Sequence, residues 1–269
     1  MIPWVKLDST TVPGAGELAL FRRDKEFVIR IGGADLMGSR VHGSEEDLCK
    51  LGCAHVADAP GARVLIGGLG LGFSLRAALD ELRPDARVDV AEISPSVVRW
   101  NKEFFPHLAK HPLDDRRSHV LEGDVNAIIG KARGTYDAIM LDVDNGPDAF
   151  TVPTNSSIYS NAGVERIRGA LRAGGVFSLW SVGDDAQFTA RLRKHGFDVR
   201  VVRAAARPGT THRHSIWVAK KLEVRPPNAA PPSEPRRPNA DPKRAPHPRD
   251  RKKKAKAGPK PGTKSKRRP

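Results

Sequence analysis

The sequence predicts an α/β protein: a doubly wound, mostly parallel sheet, preceded by a small N-terminal β-cap and followed by a basic tail. Three observations carry this prediction. From about residue 61 onward, strand-like and helix-like segments alternate, as successive βαβ units do. Segments such as "DAIMLDV" and "GGVFSLW" are nearly continuous apolar runs, which a sheet covered on both faces requires. The stretch "RVLIGGLGLGF", Arg63–Phe73, reads as a strand entering a glycine-rich turn that opens a helix, an arrangement that brings backbone close to a nucleotide.

In chain order, residues 17–37 alternate apolar and polar positions in runs broken at Arg23–Lys25 and Gly32–Gly33, which predicts an antiparallel meander. From Gly43 to Val56 the pattern turns helical, with Leu48, Leu51 and Ala54 on one stripe. Strands are expected at Arg63–Gly67, Arg87–Glu92, His119–Gly123, Tyr136–Asp142 and Gly175–Trp180. Helices are expected between and after them, at Ser74–Leu82, Pro95–Leu108, Val125–Lys131, Ala162–Arg172 and Asp185–His195. The runs "FDVRVVRAA" and "RHSIWVAKK", joined by "ARPGTTH", predict an antiparallel hairpin at the sheet edge. A Rossmann-like sheet ending in such a hairpin is the architecture of the class I methyltransferase type, built around S-adenosylmethionine. The chain then divides into a cap over 1–60, an adenosyl-nucleoside-binding domain over 61–222 and a tail over 223–269.

The net charge of +15 suggests a nucleic-acid binder until it is divided along the 269 residues. Residues 224–269 hold sixteen Lys and Arg against Glu234, Asp241 and Asp250, so the body keeps a surplus of only about two. The tail also holds 12 of the 22 prolines and no aromatic residue. That composition buries too little apolar surface to offset ordering and predicts disorder. Its charge suits non-specific contact with nucleic acid or another polyanion. The two cysteines, Cys49 and Cys53, read as small buried hydrophobes, and no metal site is expected. No apolar run approaches the ~20 residues of a transmembrane span; the expected location is the cytoplasm.

The turn fits G-x-G-x-G through Gly68, Gly70 and Gly72; the third glycine of a dinucleotide fingerprint is replaced by Phe73. A pyrophosphate needs the helix N-terminus, whereas a sulfonium nucleoside needs only the close backbone approach that glycines permit. Glu92 ends the second strand, where an acid accepts hydrogen bonds from ribose hydroxyls. Asp124, in "LEGDV" after the third strand, is placed to receive the adenine amine. The fourth strand ends in "YDAIMLDVDNGPDAF", with Asp142 at its carboxyl edge and Asp144 and Asp148 in the following loop. Carboxylates there suit a small-molecule amine substrate. An amine arrives protonated near neutral pH, and Asp142, with Asp144 as a second candidate, can take the proton and aim the lone pair. The competing reading of Asp142 is a cap on the following turn. Loop 143–157 has a length seen in lids. His107, His111 and His119 show no ligand geometry; Trp180 reads as a buried aromatic, and His212 and His214 as exposed.

These segments resemble the spermidine synthase family of polyamine aminopropyltransferases, from about Glu17 to Lys220. The likeness rests on the cap, "VLIGGLGLG", "AEIS", "EGDV", "YDAIMLDVDNGP" and "SSIYSNAGVERIRGALRAGGVFSLW". It implies that Asp142 activates the amine, that Glu92 and Asp124 hold the nucleoside, that an aminopropyl group moves from decarboxylated S-adenosylmethionine to a diamine such as putrescine, and that the cap mediates a homodimer. Two departures stand out. Gly70 occupies the place of the family's aspartate, which binds the donor's amino group. In place of the cap's Tyr-His-Glu, "RVHGSEEDL" offers His42, Glu45 and Glu46. Methyl transfer from S-adenosylmethionine is therefore the alternative, and a ligand sensor docked by its tail is a third.

Overall fold

The structure is a computed structural model, and it describes residues 2–12, 14, 16–142, 157–205, 210–211 and 213–223. Asp144, Asp148, most of the candidate lid, His212 and the basic tail lie outside the described residues.

The cap is an antiparallel sheet in sequence order: β1 (Val5–Val12), β2 (Gly16–Arg23), β3 (Glu26–Ile31) and β4 (Ala34–Gly38). The last three are the predicted meander. β1 is an addition to it; of its eight residues only Val12 is buried, so it carries little apolar signature. Leu18, Leu20, Phe27 and Ile29 turn the sheet's apolar face inward. α1 (Gly43–Cys53) follows and buries Leu48, Cys49 and Cys53. Burial pushes both thiols up, Cys53 to about 12, so they pack as apolar groups.

The main sheet contains β5 (Arg63–Gly67), β6 (Arg87–Glu92), β7 (Ser118–Glu122), β8 (Tyr136–Leu141), β9 (Leu171–Ser181), β10 (Phe197–Ala205) and β11 (Arg213–Lys221), in the spatial order β10-β11-β9-β8-β5-β6-β7. Strands β5 to β9 run parallel, and the β10–β11 hairpin is antiparallel. The chain winds outward from β5 first through β6 and β7, then back through β8 and β9. Between β5 and β8 lies the switch point where such sheets open a crevice at their carboxyl ends. The run Ala138–Leu141 of β8 is fully buried, as its uninterrupted apolar sequence demands.

The connecting helices are α2 (Phe73–Glu81), α3 (Pro95–Glu103), α4 (Val125–Lys131), α5 (Asn161–Ala170) and α6 (Ala186–Lys194). Side chains cap three of them: Asp124 accepts from Asn126 N, Ser160 from Gly163 N, and Asp185 from Gln187 N and Phe188 N. Two helices are shorter than expected. α3 stops at Glu103, because Pro106 begins a short 3-10 turn instead. α5 stops at Ala170, and β9 takes Leu171 and Arg172.

His214 corrects the expectation of exposure. β11 is inserted between β10 and β9 rather than lying at the edge, and α1 covers it, so the imidazole is buried against Ser44 Oγ (2.9 Å) and edge-on to Trp180. At the other side, Asp8 of β1 accepts from Trp100 Nε1 and Arg99 Nη2 of α3. The Trp100 hydrogen bond leads in holding the Asp8 carboxyl below its ordinary range. These contacts fasten the cap over the carboxyl ends of the strands.

Candidate active site

Gly68, Gly70 and Gly72 all adopt positive φ (+90°, +52° and +85°), a conformation that L-residues with side chains rarely take. The turn is held from three sides. Gly68 N donates to Ala91 O, Leu69 N donates to Glu92 Oε2 (2.9 Å), and Asn101 Nδ2 of α3 donates to Gly70 O (2.8 Å). Gly68 and Gly70 line a cavity of about 190 Å³, together with Glu92, Asp124 and Asp142. Gly72 does not; a Cβ on it would lie 3.0 Å from Asn101 Oδ1 and 3.1 Å from Pro112 Cγ, so its place is in the packing of the turn.

Glu92 is buried, and its two oxygens accept from Leu69 N and Ser94 N (2.8 Å). One carboxylate thus joins the glycine turn to the turn after β6. Burial pushes its carboxyl up, while these backbone donors oppose the shift. Asp124 spends Oδ1 on capping α4 at Asn126 N (2.8 Å) while still bordering the cavity.

Asp142 stands one residue past β8, with its own N–H on Gly67 O (2.9 Å) and its Oδ2 accepting from Ser74 Oγ (3.3 Å). Its side chain therefore reaches α2 and the cavity. Burial pushes its carboxyl up to about 6. A second acid, Glu45 of α1, lines the same cavity. Its Oε2 is inaccessible to solvent and has no hydrogen-bond partner. Burial first, then the negative charge of Asp142, pushes Glu45 up to about 9. In the sequence Glu45 stands out only as one of three residues offered in place of the family's Tyr-His-Glu; nothing there marks it as facing Asp142 across the fold. Asn101 and Ser74 are likewise silent in the sequence, since their roles exist only once α3 and α2 are packed.

The cap supplies the opposite wall through Val12, Leu18, Ile29, Ile31, Leu36 and Met37. Met37 Sδ lies 2.9 Å from where a Cβ on Gly70 would be, so a thioether fills the space over that glycine. Trp180, Leu36, Met37 and Glu45 also border an adjoining chamber of about 430 Å³ that includes Trp4, Arg23 and Arg40. Trp180 corrects the buried-aromatic reading: it is only partly buried because it lines both spaces, and its Nε1 has no hydrogen-bond partner. Among the described residues no cluster of side chains is arranged to hold a metal ion, and no helix is long and apolar enough to cross a membrane.

Glu45 holds its proton more tightly in the folded than in the unfolded chain, so it contributes stability at low pH that is lost as pH rises from about 4.5 toward about 9. Glu45→Gln is therefore expected to raise the melting temperature relative to the parent at pH 8 and to have little effect at pH 4. Thermal denaturation at the two pH values checks this; equal shifts at both would contradict it.

Residues 20–192, more than half of the chain, match the family model described as spermine/spermidine synthase domain. Putrescine N-methyltransferase 1 of Nicotiana tabacum is 35% identical over 126 residues, covering 44% of this chain and 31% of that protein. A polyamine aminopropyltransferase of Saccharolobus islandicus (strain Y.N.15.51 / Yellowstone #2) is 29% identical over 116 residues, covering 43% and 37%. The chain thus spans about a third of the length of the curated relatives it matches. The crystal structure of spermidine synthase from Thermotoga maritima superposes with a TM-score of 0.63 at 19% identity, covering 80% of this chain and 72% of that one, a likeness of fold. The match spans the glycine turn, the cap strands β3 and β4 and the parallel strands β5 to β9, and the chain belongs to the spermine/spermidine synthase domain family.

Proposed function

We propose that the protein is a transferase that alkylates a small-molecule amine from an adenosyl sulfonium donor, with Asp142 as the base. The observation that carries this reading is the meeting, in one cavity, of the glycine turn with a carboxyl pair, Asp142 and Glu45. The lining residues fit such a donor. The positive-φ turn presents bare backbone, Glu92 keeps lone pairs for hydroxyl groups beside it, and Asp124 borders the same space. The apolar cap wall suits the uncharged flank of a nucleoside.

The donor, when bound, supplies an electrophilic carbon beside a positively charged sulfur: as the new N–C bond forms, the C–S bond breaks and a neutral thioether departs. Asp142 holds the incoming ammonium and accepts one of its protons, which frees the lone pair for attack. Ser74 Oγ, hydrogen-bonded to Oδ2, orients the carboxylate. The cap and α1 exclude water from the reacting atoms.

Aminopropyl transfer from decarboxylated S-adenosylmethionine to a diamine such as putrescine is the reading that family membership supports. Methyl transfer from S-adenosylmethionine is the second, and a specific observation favours it: Gly70 carries no acid to balance the net positive tail that decarboxylation leaves, and Met37 covers it, whereas in S-adenosylmethionine the donor's own carboxylate balances its ammonium. The likeness to putrescine N-methyltransferase 1 points the same way. Incubating the full chain with putrescine and each donor in turn, then identifying the nucleoside product, tests both. Methylthioadenosine establishes aminopropyl transfer and S-adenosylhomocysteine establishes methyl transfer; neither product from either donor overturns the transferase reading.

A further inference from the structure

We propose that Glu45 is the second acid of the amine site, and that an incoming ammonium displaces the proton Glu45 carries, so that amine binding releases a proton from the protein. This rests on the amine-transferase reading of the cavity and adds to it a residue and a coupling.

The geometry comes first. Glu45 sits in the first turn of α1, and its side chain borders both the nucleoside cavity and the adjoining chamber. It therefore stands where the two spaces meet. Its Oε2 is sealed from solvent and makes no hydrogen bond. A buried carboxyl oxygen without a partner costs stability, and a cation seated between Glu45 and Asp142 would supply one.

The charges around Glu45 agree. Asp142 faces it from the end of β8, with Ser74 of α2 behind, and Glu46 neighbours it on its own helix. From β11, His214 is engaged by Ser44, the residue before Glu45. The Cys49 thiol below is held neutral by burial. On the chamber side Arg23 and Arg40 are both paired with Glu26, and Glu92 and Asp124 border the nucleoside end. With acids on the inner side and the nearby arginines already paired, Glu45 and Asp142 near neutral pH carry one proton and one negative charge between them. An ammonium entering that pair favours the doubly ionised form, and the proton on Glu45 leaves to solvent. The ammonium then has one carboxylate to hold it and another, Asp142, to take its proton during transfer.

The test is calorimetric titration of putrescine into the full chain saturated with methylthioadenosine, which fills the donor site without adding a sulfonium charge. Running it in phosphate and in Tris, whose ionisation heats differ, reads the protons released. The parent is expected to release about one proton and to bind more tightly by up to about tenfold per pH unit between pH 7 and 8.5. In Glu45→Gln the release should vanish, the pH dependence should flatten, and the affinity at pH 8.5 should fall about tenfold or more, with methylthioadenosine binding retained as the control for folding. If putrescine binds the parent but Glu45→Gln releases the same proton, the proton comes from the amine or Asp142 and the role of Glu45 is overturned, while the transferase reading stands. If methylthioadenosine binds and putrescine does not, the amine reading of the cavity fails, and this proposal fails with it.

Discussion

Replacing Asp142 with asparagine is expected to lower turnover by about 10²- to 10⁴-fold, the range for loss of a positioned base, while nucleoside affinity stays nearly unchanged. Asparagine keeps the size of the side chain and an oxygen for Ser74 Oγ, so the turn after β8 and its bond to Gly67 O survive. It loses the ability to take a proton and the charge that holds the ammonium. The parent's rate should also fall as pH drops through about 6, where Asp142 becomes protonated and can no longer act as base. A further consequence separates loss of charge from misfolding. With Asp142 neutral, Glu45 keeps the burial that raises its carboxyl but sheds the repulsion added by Asp142, so it should ionise at lower pH in the variant. Steady-state kinetics with methylthioadenosine titration checks the first claim; turnover within tenfold of the parent would remove Asp142 from the chemistry.

Gly163→Ala is expected to be the most damaging single methyl in the described body. A Cβ at this position, in the first turn of α5, would lie 2.1 Å from Ser157 O and 2.4 Å from Ile158 O. Both are backbone atoms, so no side chain can swing aside. The approach also delivers Gly163 N to Ser160 Oγ (3.0 Å), the cap of α5. Overpacking costs about 1–3 kcal/mol and a lost cap about 1 kcal/mol, against which the better helix propensity of alanine returns about 1 kcal/mol. A net loss of about 1–3 kcal/mol lowers the melting temperature of a chain this size by roughly 2–12 °C. Gly169→Ala is the control: it lies in the same helix with nothing within 4 Å of the added carbon, and it should be neutral or stabilising. The displaced segment also carries Ser157, whose Oγ donates to Asn126 Oδ1 beside Asp124, so the first variant should weaken nucleoside binding as well.

Much of this fold is legible because its signals are local. The apolar runs of β5, β8 and β9, the alternation in β2 and β3, and the positive-φ glycines of the turn each state their own conformation. The same holds for site residues fixed by a strand end: Glu92, Asp124 and Asp142 fall at the carboxyl edge because their strands do. What the sequence conceals is set by distant packing. Glu45 and Asp142 are 97 positions apart in the sequence, and their mutual effect exists only because α1 lies beside the end of β8. His214 looks like an exposed hairpin residue until β11 is inserted between two strands and covered by α1. β1 is hard to foresee because seven of its eight residues stay at least partly accessible. The overlong reading of α3 has a different origin, since the helical pattern runs on to Leu108, past Pro106, where the chain tightens into a 3-10 turn.

Because six aliphatic and thioether side chains of the cap form one wall of the nucleoside cavity, whatever fills it is part of what joins the two sheets. A ligand at one hundred times its dissociation constant adds about 2.7 kcal/mol to the stability of the closed form, and here that increment falls on the seam. Protease attack tracks the population of locally opened molecules. On the proposed reading, a molecule without its adenosyl donor would open along this seam more often, and be cut by protease sooner, than one with the donor bound.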